Sequence, residues 1–169
     1  MAIQLSELRA VPPLRQYNYE MVIPSWPGGG NGDLLRIVTL TANIPGLSTE
    51  PIETSVGGFV EKFAGRGMYP RSLPIEYRET RDLTVWNALY NWRQICWNDQ
   101  TGAQGSDSGG GSYKTLGFLR IFREDKSLIR SIRFEGLWPE DVGDIPMDAS
   151  ASDAVRVSVT FSYDYVVPE

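Results

Sequence analysis

The segment VRVSVTFSYDY, residues 155–165, alternates without a break. Val155, Val157, Val159, Phe161, Tyr163 and Tyr165 fall on one parity, and Arg156, Ser158, Thr160, Ser162 and Asp164 on the other. Strand side chains repeat every two residues, so this segment is apolar on one face and wetted on the other. One face meets a core, and the open matter is what the other face meets. SLPIEYRET, 72–80, repeats the pattern, with Leu73, Ile75 and Tyr77 inward and Glu76, Arg78 and Thr80 outward. Two half-wet strands commit the chain to a sheet covered on one side.

The other elements follow the same logic. YNYEMVIP, 17–24, reads as a strand closed by Pro24, and LLRIVTLTANIP, 34–45, as a second, with WPGGGNGD between them too glycine-rich for regular structure. From 46 to 70 two β-prone pieces flank Gly57-Gly58, which predicts a long protruding hairpin. Asp82 to Trp97 is the one segment with helical spacing: Leu83, Trp86, Leu89 or Tyr90, Arg93 and Cys96 or Trp97 form one line, and Val85, Ala88, Trp92 and Ile95 a second. Asp82 is its expected N-cap or first-turn acid. A helix apolar over so much of its circumference needs cover on more than one side. DQTGAQGSDSGGGS, 99–112, is a loop by composition, 115–122 and 127–138 are strands about the turn REDK, and 154–166 is the final strand after an acidic crossover. The sum is a single domain, 1–169, mainly antiparallel β in a barrel or sandwich with one flanking helix.

Composition removes chemistry. The chain has no histidine, which excludes the Ser-His-Asp and Cys-His arrangements and the commonest general base and zinc ligand. Cys96 is the only cysteine and lies in the apolar run LYNWRQICW, so it reads as a small buried hydrophobe. The N-terminal stretch lacks the charged start and apolar block of a secretory signal, and no apolar run approaches the roughly 20 residues of a membrane helix, so a soluble, reducing compartment and no membrane anchor are expected. Sixteen Lys and Arg against 21 Asp and Glu give a formal charge of −5, which argues against binding nucleic acid through its phosphates. The same acidity suits a surface past which DNA slides.

Motifs offer little more. GGGSYKT, 109–115, puts Ser112 and Tyr113 where a phosphate loop needs its lysine, and GRGMYP, 65–70, has Pro70 where a dinucleotide fingerprint needs its third glycine. Glu135, Glu140, Asp141, Asp144 and Asp148 lack calcium-loop spacing and read as solvated surface. Of the five tryptophans, three lie on the helix and one ends a strand, which favours core or subunit interface over a sugar platform. No catalytic, cofactor or metal residue is therefore nominated.

The order of the pieces resembles the tail tube proteins of contractile-tailed bacteriophages, a family similar in fold to the inner tubes of phage-like injection devices and type VI secretion. The likeness rests on ANIPGLSTEPIET (42–54), AGRGMYPRSLPIEYRETRDLTVWNALYNW (64–92) and IRFEGLWPEDVGDIPMDASASDAVRVSVTFSYDY (132–165). Its most specific parts are Glu135, Gly136 and Pro139 in E-G-x-x-P and Phe161 to Tyr165 in F-x-Y-D-Y. The Gly-rich stretches 28–32 and 102–111 look like local insertions.

The resemblance implies a non-enzymatic structural subunit without cofactors: hexameric rings stacked into a hollow tube that conducts DNA without binding it specifically. Partners would be further copies of the chain, the tail sheath protein, and baseplate and tail terminator proteins. The protein would belong to the virion tail and assemble in the host cytoplasm. Glu76, Arg78, Arg156, Ser158, Thr160, Ser162 and Asp164 become candidates for the channel lining or an outer subunit surface. Pro51, Val56, Val60 and Phe63 become candidates for a hairpin contact to the adjacent ring, and Val85, Trp92 and Ile95 for the helix's contact to a neighbour or the sheath. Open sheet edges give the implication a physical basis, because they pair with the next subunit and a rotation that closes makes a ring. Two alternatives stand beside it. One is the tube of a non-viral injection device with protein cargo. The other is a monomeric carbohydrate-active or sugar-binding β-sandwich, which would show converging buried carboxylates or an exposed Trp platform.

Overall fold

The alternating segment lies inside the larger of two sheets. The computed structural model describes residues 14–68, 70–107, 112–148, 150 and 153–169. The expectations for the N-terminal stretch 1–13 and for residues 108–111 of the second Gly-rich segment lie outside the described residues. The elements run β1 (Tyr19–Val22), α1 (Gly32–Val38), β2 (Thr39–Ala42), β3 (Ser48–Val56), β4 (Phe59–Met68), β5 (Ser72–Arg78), α2 (Thr84–Cys96), β6 (Thr115–Phe122), β7 (Leu128–Val142), β8 (Arg156–Ser162) and β9 (Tyr165–Pro168). Every strand pairing is antiparallel.

The larger sheet follows the order β1-β6-β7-β8-β5-β2, with β9 also on β7. It bends into two layers that share β7: β1, β6, β7 and β9 form one, and β2, β5, β8 and the far end of β7 the other. The bend falls at Gly136, whose φ is +67°, opposite the break between β8 and β9. Strands that change sheets need such a kink, and a left-handed glycine supplies it without a Cβ penalty. Asp164 caps the corner: its N–H donates to the Glu135 carbonyl at 2.9 Å, and both carboxylate oxygens accept from Lys114 Nζ at 2.9 and 3.0 Å. The single final strand expected over 154–166 is thus two strands, with Tyr163 and Asp164 as the elbow.

The facing sides of the two layers make one core. Leu73, Ile75 and Tyr77 stand opposite Phe161, Val159 and Val157 in the register of β5 and β8, and meet Met21, Leu119, Ile132 and Phe134 of the other layer. Trp26 lies among the aromatic rings, edge-on to Trp92 at 5.1 Å, Tyr77 at 6.4 Å and Phe161 at 6.5 Å. The first Gly-rich segment has its role here: a Cβ on Gly28 would fall 2.5 Å from the Trp92 nitrogen and 2.6 Å from the Ala88 oxygen, so only glycine lets this loop lie on the α2 backbone.

One expectation requires correction. The stretch 34–45 is not one strand: Gly32–Val38 is helical, with the Asn31 side chain accepting from the amides of Asp33 and Leu34, and only Thr39–Ala42 is extended. Leu35 and Val38, three apart, are its buried residues. Of the barrel and the sandwich the chain forms the sandwich, with the sheet not closed on itself. Its end strands β1 and β2 approach, and Tyr19 Oη donates to the Leu40 carbonyl at 2.6 Å, yet among the described residues they share no ladder and a cleft of about 720 Å³ opens beside them.

α2 is started by an unexpected group. Leu83 holds the N-cap position at φ +53° with no side-chain cap, and Asp82 makes no cap either. Instead the Glu79 carboxylate reaches over the first turn: Oε1 accepts from the amides of Thr80 (2.8 Å) and Val85 (3.0 Å), and Oε2 from that of Trp86 (2.9 Å). Glu79→Ala leaves those N-terminal amides without their acceptor and is expected to lower stability by about 2 kcal/mol. A urea midpoint equal to that of the unaltered protein would contradict this role.

Candidate functional site

The interior offers no reactive constellation. Among the described residues no group of three or more His, Cys, Asp or Glu is placed to hold a metal. Burial pushes the Cys96 thiol up to about 11, and its Sγ lies 3.4 Å from the Trp92 carbonyl, so at neutral pH it is a protonated donor rather than a nucleophile. Among the described residues no helix is long and apolar enough to cross a membrane. What the fold presents is three surfaces.

The first is the outer face of the layer β7-β8-β5-β2. Register places Ser72 beside Ser162, Pro74 beside Thr160, Glu76 beside Ser158 and Arg78 beside Arg156, and brings Asp141 of β7 to Thr160 and Thr41 of β2 to Glu76. Six of the seven residues nominated for a wet face therefore share one. Arg156 Nη1 and Glu76 Oε2 lie 3.4 Å apart across it. Asp164 is the exception: the elbow after β8 carries it off this face and over Gly136. Among the described residues this layer has free sides at both ends, since the ladder of β6 on β7 stops at Thr115↔Leu137 and leaves Trp138–Val142 paired on one side only, to β8, while β2 forms a ladder only with β5.

The second surface is the β3–β4 hairpin, a two-stranded sheet by itself. Every residue of β3 is exposed. Register puts Ile52 with Phe63, Thr54 with Glu61 and Val56 with Phe59 on one face, and Pro51 with Ala64, Glu53 with Lys62 and Ser55 with Val60 on the other. The nominated Val56 and Phe63 thus belong to an apolar face that also holds Ile52 and Phe59, whereas Pro51 and Val60 look the opposite way. Counting parity outward from Gly57-Gly58 in the sequence would have found Ile52 and Phe59.

The third is the outer side of α2, where the sequence reading is reversed. Val85 and Trp92 are 0% exposed and face the chain's own core with Ala88 and Leu89, so they contact no neighbour, and Ile95 is only half-buried. The outward line is the other one: Leu83, Tyr90 and Trp97 are exposed and Trp86 and Arg93 half-buried, with the rings of Trp86 and Tyr90 stacked at 5.0 Å. Both lines have helical spacing and aromatic members, and long-range packing decides which is inside: the rings of Trp26 and Phe161 lie on Trp92 at 5.1 and 5.6 Å, and Gly28 lies on the α2 backbone.

The family model described as phage tail tube protein matches residues 10–167. The chain belongs to that family. The tail tube protein gp19 of Enterobacteria phage T4 is 29% identical over 119 residues, 64% of this chain and 72% of that one. The T6 protein of the same name is 28% identical over 76 residues, 42% of this chain and 47% of that one. Among solved structures, a chain of the extended sheath-tube complex of the extracellular contractile injection system PVC covers 99% of each chain with a TM-score of 0.66 at 14% identity. The tube-terminating cap of the anti-feeding prophage covers 100% of this chain and 94% of its own at TM-score 0.68 and 14% identity. At these identities the two likenesses concern the fold. Within this tail tube protein, the E-G-x-x-P stretch is the sheet-switching corner and its continuation as an edge: Gly136 makes the bend, and Pro139 and Asp141 follow on the segment that pairs with β8.

Proposed function

We propose that this tail tube protein forms hexameric rings that stack into the hollow tube of a contractile phage tail, within the virion, and that DNA passes through the bore. The observation that carries the reading is the four-stranded layer, whose end strands among the described residues each pair on one side only and whose outer face is polar. Edge-to-edge pairing of β2 in one copy with the Trp138–Val142 segment of the next would continue the layer around a ring. A barrel made from several copies is too wide for side chains to fill, so its inner face must be wet. The face of Glu76, Arg78, Arg156, Ser158, Thr160 and Ser162 meets that requirement. Its hydroxyls hydrate well, and the two cations Arg78 and Arg156 are balanced by the two acids Glu76 and Asp141, with Glu76 3.4 Å from Arg156, so the face offers DNA no net positive charge. Sequence identity to phage tube proteins favours this setting over the injection device with protein cargo. Partners in this reading are the sheath protein outside and terminator and baseplate proteins at the ends, with assembly in the host cytoplasm and no catalytic step.

Negative-stain microscopy of the purified, concentrated protein tests it. Rings or long hollow filaments are the expected result. A chain that sediments as a monomer at high concentration, and fails to polymerise on added baseplate components, would overturn the reading.

A further inference from the structure

Two apolar surfaces of the chain lack cover among the described residues, and we infer that each covers the other between copies: the Ile52–Val56–Phe59–Phe63 face of one copy's hairpin seats on the Leu83–Trp86–Tyr90–Trp97 stripe of a second copy's α2, with Glu61 against Arg93. The inference rests on the self-assembly proposed above and adds the hairpin's acceptor.

The hairpin needs a partner. An isolated two-stranded ribbon is marginal in water, and this one leaves Ile52 at 57%, Val56 at 73%, Phe59 at 78% and Phe63 at 52% exposed. The stripe needs one too. Leu83, Tyr90 and Trp97 are 40 to 46% exposed, and α2 cannot roll to hide them because its opposite side is locked in the core by Val85, Leu89 and Trp92. Trp86 and Tyr90 are already stacked with ring planes 16° apart, so docking on them orders little that is not ordered beforehand. Different patches meeting on identical copies give a heterologous contact, the type that generates rings and filaments.

Charge fixes the pairing. Each apolar row contains one charged member, of opposite sign. Phe59, Glu61 and Phe63 follow one another on the hairpin face over about 13 Å of extended chain. Tyr90, Arg93 and Trp97 follow one another on the stripe over about 10 Å of helix axis. An antiparallel or parallel overlay of the two rows brings the carboxylate to the guanidinium while aromatic residues meet on either side. On the hairpin's other face Lys62 already pairs with Glu53 at 2.7 Å, whereas Glu61 lies between Phe59 and Phe63 on the apolar face itself, opposite Thr54. Arg93 holds Asp99 and the Trp97 carbonyl through a single Nη, and a guanidinium has five N–H donors to share.

The test uses the full chain carrying Cys96→Ala, with Glu61→Cys and Arg93→Cys together. Mild oxidation of assembled tubes is expected to give a ladder of covalently linked copies on a denaturing gel, which either cysteine alone does not. A second arm uses charge. Glu61→Arg or Arg93→Glu singly is expected to raise the protein concentration needed for tubes roughly tenfold, and the two together to restore it. Tubes that give neither ladder nor rescue would overturn this contact while leaving the tube reading intact. Failure of the unaltered chain to form tubes would overturn both.

Discussion

Gly28→Ala is expected to cost the monomer about 3 kcal/mol, at the upper end of the range for overpacking a well-filled interior. The added methyl carbon would sit 2.5 Å from the Trp92 nitrogen, 2.6 Å from the Ala88 oxygen and 3.0 Å from the Trp92 Cα. All three are backbone atoms of α2, which cannot rotate aside as a side chain can, so the loop must lift. The loop carries Trp26, whose ring packs on Trp92, Tyr77 and Phe161, and lifting it loosens the contact between the helix and the β5–β8 layer. Gly46→Ala is the control, since nothing lies within 4 Å of its Cβ position and φ is not positive there. Urea unfolding measures both. The Gly28 variant should lose a large part of the roughly 5 to 15 kcal/mol that a domain possesses, and the Gly46 variant almost nothing. Equal midpoints would show that the Gly-rich segment is a passive insertion.

The contrast shows why part of the fold was legible in the sequence and part was not. Alternation over 155–162 and 72–78 is a local property, and the β5–β8 register with Leu73, Ile75 and Tyr77 inward follows from it. The stretch 34–45 failed because a short apolar run rich in β-branched residues fits a buried helix as well as a strand, and the deciding signal was outside the window, in the N-cap Asn31 and its acceptor bonds. The hairpin was legible from Gly57 and Gly58, both at positive φ, but which side of it is apolar required counting from the turn. The face of α2 was not legible at all. Its two lines differ in what they pack against, and the contact comes from Trp26 and Gly28, some sixty residues away. Asp164 shows the same limit on a smaller scale, since parity holds only while the strand is straight and Gly136 ends it.

The largest effect on assembly is expected from Phe63→Asp, which should abolish tubes while leaving the monomer folded. Phe63 is 52% exposed on a hairpin that forms its own two-stranded sheet, so the change removes little from the chain's own core, and thermal unfolding of the monomer should shift by no more than a few degrees. In the tube each copy would lose the burial of a phenyl ring, about 1.5 to 3 kcal/mol, and would bury a carboxylate with no partner, which adds roughly 1 to 3 kcal/mol or more. A loss near 4 kcal/mol per contact raises the concentration needed for polymerisation by about a thousandfold, beyond what a purified sample reaches. Val60→Asp separates this from a general intolerance of charge on the hairpin. Val60 pairs with Ser55 on the opposite face, beside the Glu53 and Lys62 ion pair, so its carboxylate meets an already polar neighbourhood and should shorten tubes without preventing them. Electron microscopy of the two variants at equal concentration distinguishes the outcomes. Tubes of normal length from Phe63→Asp would show that this face of the hairpin carries no assembly contact.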